Sequence, residues 1–420
     1  MRSRTRRPSL FRHRDLRIVL PAVVGVGAGD ALVMFALTLR IFTSGGGPAQ
    51  IALLTAAFAI PTILCVGIAG YVVDRYDSRT ILLLTSLTQG IAVAGLALSP
   101  PAMGMYLLVV LLQVGQSFAS PTWAALLPRI VGEEDLGRAS ALQQSSLLLT
   151  GAVGAAGAGV LVARYGVPAT LWVATIGFLG VGVAALAVTT RRVGETGSAS
   201  SASVSPLTRL WSSEGFAVLR ADRVNWVLFS ATIPFLLALE TINIAEVFLV
   251  KGTLGATTTE FGILQAVSAV GAIGGAWFSA RIMKEATRVV VVVAGIGAGG
   301  VGMALAGLAP NVVVLGVASV IIGSCVMASG SALFPVLMLR TADKDRGKVN
   351  AAVSGANRTM TMLALGVGAV AGTLLSPRHI FVAAAVVSVV VAAWSWHATR
   401  DLLAPEVAQD SPAVGDASAG

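Results

Sequence analysis

Long apolar runs with no charge and no alternation interrupt the chain at 81–98, 169–188, 289–309 and 380–394. A helix that crosses the hydrocarbon core needs about 20 apolar residues, whereas a barrel strand needs about 10 of alternating character. The runs are therefore helices of membrane-spanning length. Composition agrees. Charged residues make up 12% of the 420 residues and the apolar set 55%, with 47 glycines besides. Soluble domains carry about 25% charged residues, and so apolar a chain cannot cover its own surface with polar groups. Disorder is excluded from the opposite side, since it requires low hydrophobicity.

Hydrophobic runs and their breaks predict an all-α membrane protein with twelve transmembrane helices. The first six spans are 17–40, 49–73, 80–98, 103–128, 139–163 and 167–190, and the second six are 224–250, 259–283, 287–309, 311–339, 349–375 and 378–399. The expected organisation is an N-terminal half over 1–190, a cytoplasmic linker over 191–223, a C-terminal half over 224–400 and a disordered cytoplasmic tail over 401–420. The linker opens with the Ser/Ala/Gly-rich stretch 194–205. Charge sets the orientation. Arg40, Arg164, Lys251 and Arg378 fall at one set of loops and Arg358 inside a span, and the rest of the 29 Lys and Arg residues fall on the other side. By the positive-inside rule both termini of this multi-pass protein are cytoplasmic. The basic arm Arg2, Arg4, Arg6, Arg7, Arg12, Arg14 and Arg17 reads as a topogenic segment touching anionic lipid rather than a nucleic-acid site.

The halves repeat at a spacing of about 210 residues. Gly137-Arg138-Ala139-Ser140-Ala141 corresponds to Gly347-Lys348-Val349-Asn350-Ala351, Asp30 to Glu240, and Pro128 roughly to Pro335. Two six-helix repeats around a central site would let one half rock against the other.

After the second span stands Gly70-Tyr71-Val72-Val73-Asp74-Arg75-Tyr76-Asp77-Ser78-Arg79. It resembles the signature loop of the major facilitator superfamily, G-x-L-a-D-R-x-G-R-[KR], at Gly70, Asp74, Arg75 and Arg79. Val72, Asp77 and Ser78 depart from the pattern. Within the superfamily the chain resembles the bacterial drug and siderophore exporter branch, through Gly29-Asp30-Ala31-Leu32, Pro121-Thr122-Trp123 and Leu127-Pro128. The resemblance implies a gating loop. Gly70 would let helices approach closely, and Asp74 would accept hydrogen bonds from a helix N-terminus or pair with a cation in one conformation only. The matching stretch of the second half, Gly275 to Arg281, has no acid, so gate charge is expected mainly in the first half. Superfamily antiporters often carry an arginine in the fourth helix and a Gly-Pro pair in the fifth. Here those regions read Leu111-Leu112-Gln113-Val114-Gly115-Gln116, and Gly151 to Gly157 with Ala155 in place of proline.

Asp30, Glu240, Glu246 and Arg358 lie well inside spans. A charge left at the bilayer centre costs about 3 kcal/mol or more, so each needs a cavity or a partner. Asp30 and Glu240 are expected to line a central cavity and carry a proton, and a fixed ion pair such as Asp30 with Arg358 is the structural alternative. Glu246, Asn243, Asn357, Gln113 and Gln143 complete the candidate cavity set, with Gln116 and Gln144 as lesser members. Trp123 and Trp226 are expected in an interfacial belt.

Three histidines near span ends and Cys65 and Cys325 within apolar spans give no metal cluster, disulfide framework or catalytic constellation. No G-x-x-x-x-G-K-[ST] loop exists to hold nucleotide phosphates. The expected protein is a monomeric secondary transporter rather than an enzyme. It needs no cofactor or metal, and its partners are a small-molecule substrate, protons and membrane lipids. Proton-coupled efflux of amphipathic small molecules is the leading expectation. An importer of polar solutes, a lipid flippase and a non-transporting sensor are the alternatives.

Overall fold

The computed structural model describes residues 13–189 and 213–409, all of it helix and connecting turns without a strand. The basic residues of the arm before His13, the linker stretch 194–205 and the tail beyond Gln409 lie outside the described residues. In chain order the helices are α1 (Arg14–Thr43), α2 (Pro48–Leu64), α3 (Val66–Arg75), α4 (Ser78–Ala97), α5 (Ala102–Val131) and α6 (Glu133–Ala187). There follow α7 (Ser213–Ala221), α8 (Arg223–Val247), α9 (Thr258–Ala280), α10 (Glu285–Gly307), α11 (Val312–Leu339), α12 (Arg346–Leu374) and α13 (Pro377–Gln409). Helix α8 runs into a π-helical turn, Phe248–Thr253.

Local chemistry sets the boundaries. Asp77 caps α4 by accepting from the Arg79 amide at 2.9 Å, Asp222 caps α8 from Asn225 at 2.8 Å and Asn311 caps α11 from Val314 at 3.0 Å. Thr257 and Glu260 form a reciprocal capping box at the start of α9.

Among the described residues, nine helices are long and apolar enough to cross a membrane, and a pair bent by 53°, Pro48–Leu64 with Gly67–Arg75, makes a tenth. Two of the predicted spans are not separate members of that count, for physical reasons. Helix α6 covers both 139–163 and 167–190, broken only at Gly166, whose φ of 81° favours glycine, with Pro168 beyond it. Helix α12 is made too polar by Asn357 and Arg358. The end of the predicted linker is itself helical, as α7. The first residues of the predicted tail continue α13 to Gln409.

Helices α1, α4 and α5 pack around α6, while α10 packs on α11 and α13, and α8 on α12 and α13. Glycine permits the closest crossing. A Cβ at Gly275 of α9 would fall on the Ser324 backbone of α11, 2.8 Å from its Cα, and Ser324 Oγ donates to the Gly271 carbonyl at 2.9 Å. On α6, Gly154 packs on Ala28 and Ala31 of α1, whereas Gly151 and Gly157 face open space. Large apolar side chains on α4 (Leu84, Ile91), the second arm of α6 (Ile176, Val183) and α10 (Val301) are exposed outward, as a lipid-facing surface requires.

Besides small contacts of α1 and α2 on α8, two larger contacts join the helices before residue 189 to those after 213: α6 with α9, and α2 with α12. Both lie at the end opposite the chain termini. There Phe42 meets Phe248 edge-on at 5.7 Å, and Phe35 stacks on Phe261 at 4.9 Å. A Cβ at Gly159 would stand 2.7 Å from the Gly262 Cα, and one at Gly372 would strike the Pro48 ring. Helix α3, which continues α2 towards the termini, leans instead on α5. The two groups of helices are thus closed against each other at the far end.

Candidate functional site

Helix α1 places Asp30 between α1 and α5, where Gln113 Nε2 donates to its Oδ1 at 3.4 Å. Gln113 is buried, and its carbonyl accepts from Ser117 Oγ at 2.7 Å. One turn on, Gln116 Oε1 accepts from Gln89 Nε2 of α4 at 2.9 Å. On α8, Asn243 Nδ2 donates to Glu240 Oε2 at 3.4 Å. Further along, Glu246 Oε2 accepts from Gln265 Nε2 of α9 at 2.9 Å. Each intramembrane carboxylate therefore has a neutral amide as its side-chain partner.

Arg358 on α12 is half-buried and has no hydrogen bond or ion pair among the described residues. Nor does any such bond join Asp30 to Arg358 or to Glu240 among those residues. The fixed pair of Asp30 with Arg358 is not made. Asn357 lines a cavity of about 250 Å³ with Thr232, Phe235, Ser329 and Phe334, which the other predicted residues do not line. Gln143 is half-buried on α6, and the side chain of Gln144 lies outside the described set. Gln265 was not among the predicted residues. A polar residue in an apolar span, five residues after Glu260 of the capping box, is the signal available for it.

The end of α3 and the residue after it are exposed at Asp74, Arg75 and Tyr76. Arg75 donates to the Tyr71 hydroxyl and lies over its ring, while Arg79 donates to the Leu186 carbonyl at 2.7 Å. Gly70 faces open space, so the close approach expected there is not made, because α3 stands clear of α12 in this conformation. The second group of helices carries its own ion pairs at the end near the termini. Arg340 binds Asp222 at 3.2 Å and Glu285 at 2.5 Å, joining the ends of α8, α10 and α11. Lys348 binds Glu214 of α7 and Asp345 at 3.1 Å each, and these hydrogen bonds hold its ammonium above the usual lysine range. The acids come from caps and first turns rather than from the loop after α9. Trp123, expected at an interface, is buried, and Trp226 lines an apolar cavity at the end near the termini.

The sequence pattern of the Major Facilitator Superfamily matches residues 19–354. The multidrug efflux pump Tap of Mycobacterium tuberculosis (strain ATCC 25618 / H37Rv) is 25% identical over 180 residues, 40% of this chain and 43% of the pump. The chain thus spans less than half the length of the curated relatives it matches. Among solved structures, a bacterial homologue of the human lysosomal transporter Spinster, inward-facing and unoccupied, superimposes with a TM-score of 0.71 at 16% identity over 94% of this chain and 98% of that one. A POT family transporter in complex with 5-aminolevulinic acid gives 0.72 at 12% over 94% and 96%. A bacterial homologue of the iron transporter ferroportin in an inward-facing state gives 0.68 at 15% over 94% and 100%. At these identities the likeness is one of fold.

Proposed function

The chain belongs to the major facilitator superfamily, a multi-pass membrane transporter and not an enzyme, and on that premise we propose that it exports amphipathic small molecules in exchange for protons. In this reading twelve crossings form two six-helix halves, 1–190 and 224–400, joined by the linker 191–223. Both termini are cytoplasmic, in a bacterial plasma membrane. The closure at the far end is then an outer gate, and the monomer is caught open to the cytoplasm.

One observation carries the proton step: Asp30 is held by Gln113 and not by Arg358. A glutamine amide offers both donors and an acceptor, so it serves a carboxylate and a carboxylic acid alike. An ion pair with arginine would stabilise the anion only. Asp30 can therefore take up and release a proton without losing its partner. Glu246 with Gln265 repeats the arrangement beside the outer gate, and Glu240 with Asn243 does so more openly. Arg358 and Asn357 supply the polar wall on α12, and Gln143 a further amide on α6. Asp74, Arg75 and Arg79 stand on the cytoplasmic side and would engage the opposite half when the inner side closes, and Gly70 would then pack closely. The limited identity to an efflux pump supports export as the direction.

Cells that produce the protein should hold less of a fluorescent cationic dye such as ethidium than cells without it. Collapse of the proton gradient should erase the difference. Equal dye levels in the two strains before collapse would contradict export, and a raised level in producing cells would mark uptake instead.

A further inference from the structure

At the end near the termini lies a cavity of about 860 Å³ that the transport cycle described above does not use. Helix α7 forms one wall with Phe216 and Arg220, α8 a second with Trp226 and Phe229, and α12 the third with Ala356 and Met360. The short helix is not loosely placed. Glu214 binds Lys348 in the first turn of α12 at 3.1 Å, and Phe216 meets Phe229 edge-on at 5.9 Å. The walls are apolar and aromatic apart from Thr359 and the guanidinium of Arg220 at the rim, which lies over Trp226 with its Cζ 4.7 Å from the ring centroid.

Charge at this end is unevenly satisfied. Glu214, Asp222, Glu285, Asp343 and Asp345 are each paired with Lys348, Arg340 or Arg346. Arg220 and Arg223 have no acidic partner among the described residues. The guanidinium of Arg220 thus lines an apolar cavity without an acidic counter-charge, and Arg223 opens the membrane-spanning helix that follows. A small hydrophilic anion would leave the walls unfilled, and a neutral alkane would leave the Arg220 guanidinium unmatched. An anionic phospholipid meets both demands, since arginine near the surface attracts acidic headgroups and an apolar slot accepts an alkyl chain.

We propose that this cavity binds one anionic phospholipid from the leaflet at the termini end. Its phosphate sits at Arg220, and one acyl chain lies between α8 and α12. The site bridges the linker helix to α8 and α12, so an occupied cavity would brace α7 against the C-terminal group.

Trp226 supplies the reporter. Purified full-length protein in detergent is titrated with phosphatidylglycerol brominated on its acyl chains, and separately with brominated phosphatidylcholine, while tryptophan emission is followed. Wild-type protein should show a saturable quench with phosphatidylglycerol at lower concentration, and Trp226→Phe should lose that component. Arg220→Gln should weaken the phosphatidylglycerol component about fivefold and leave phosphatidylcholine unchanged. Ala356→Leu should remove the saturable component by filling the slot. Arg220→Gln changes an exposed side chain, so the test stands whether or not the leucine variant folds. Equal quenching by both lipids in wild type and Arg220→Gln would overturn the proposal. So would displacement of the brominated lipid by inorganic phosphate, which would identify a soluble-anion site.

Discussion

Gly159→Val should cut export about tenfold or more while opening the far end of the protein to reagents from that side. The reason is steric. Gly159 on α6 and Gly262 on α9 approach so closely that even a Cβ at Gly159 would lie 2.7 Å from the Gly262 Cα and 3.2 Å from the Thr258 carbonyl. Those neighbours are backbone and cannot rotate away. Overpacking of this kind costs about 1–3 kcal/mol, and each 1.4 kcal/mol is about tenfold in an equilibrium. Here the strain falls on one conformation, because the contact exists only when α6 and α9 are closed together. The substitution therefore shifts the population away from closure rather than blocking substrate directly. A cysteine placed at Asn243, in a background with Cys65 and Cys325 replaced, should react faster with an impermeant thiol reagent added from the far side. Unchanged labelling together with unchanged export would show that this crossing is not the gate. Gly154→Val is the useful contrast. It also clashes, at 2.9 Å from Ala31, but within one group of helices, and should lower stability without favouring either conformation.

Asp30→Asn should abolish gradient-driven export while leaving substrate exchange at equal pH intact. Asparagine is close in shape and can still bond to Gln113, so the local packing between α1 and α5 survives. What it cannot do is carry a proton. Asp30→Glu keeps the acid and should recover part of the driven rate, a rescue that a purely structural role would not require. Driven export that survives Asp30→Asn would move the coupling to Glu246 or Glu240. Glu246→Gln would then be the decisive variant, because Gln265 gives that carboxylate the same kind of neutral partner at 2.9 Å.

Helix positions were largely legible because hydrophobic length and caps are local. The predicted 80–98 and 259–283 became Ser78–Ala97 and Thr258–Ala280, with Asp77 and Thr257 marking where each begins. Polar residues in apolar surroundings marked Asp30 and Gln113, which do meet. Their meeting itself was not legible, as 83 residues separate them and only packing of α1 on α5 decides the partner. The same holds for Arg340, whose acids stand 118 and 55 residues away. The bend between α2 and α3 has no strong local sign, although Pro61 weakens the ladder just before it. The short α7 leaves little local sign, because nine residues with Glu214 and Arg220 among them follow a Ser- and Gly-rich stretch and gain their place only by packing on α8 and α12.

The most direct test uses purified protein in liposomes with an acidic lumen and substrate outside. Wild-type protein should concentrate a cationic dye inside as protons leave, and equalising the pH or adding a protonophore should release it. The Asp30→Asn protein should show only equilibration. Accumulation of the same size with and without the pH gradient, or undiminished in the Asp30→Asn protein, would contradict proton-coupled exchange through this site.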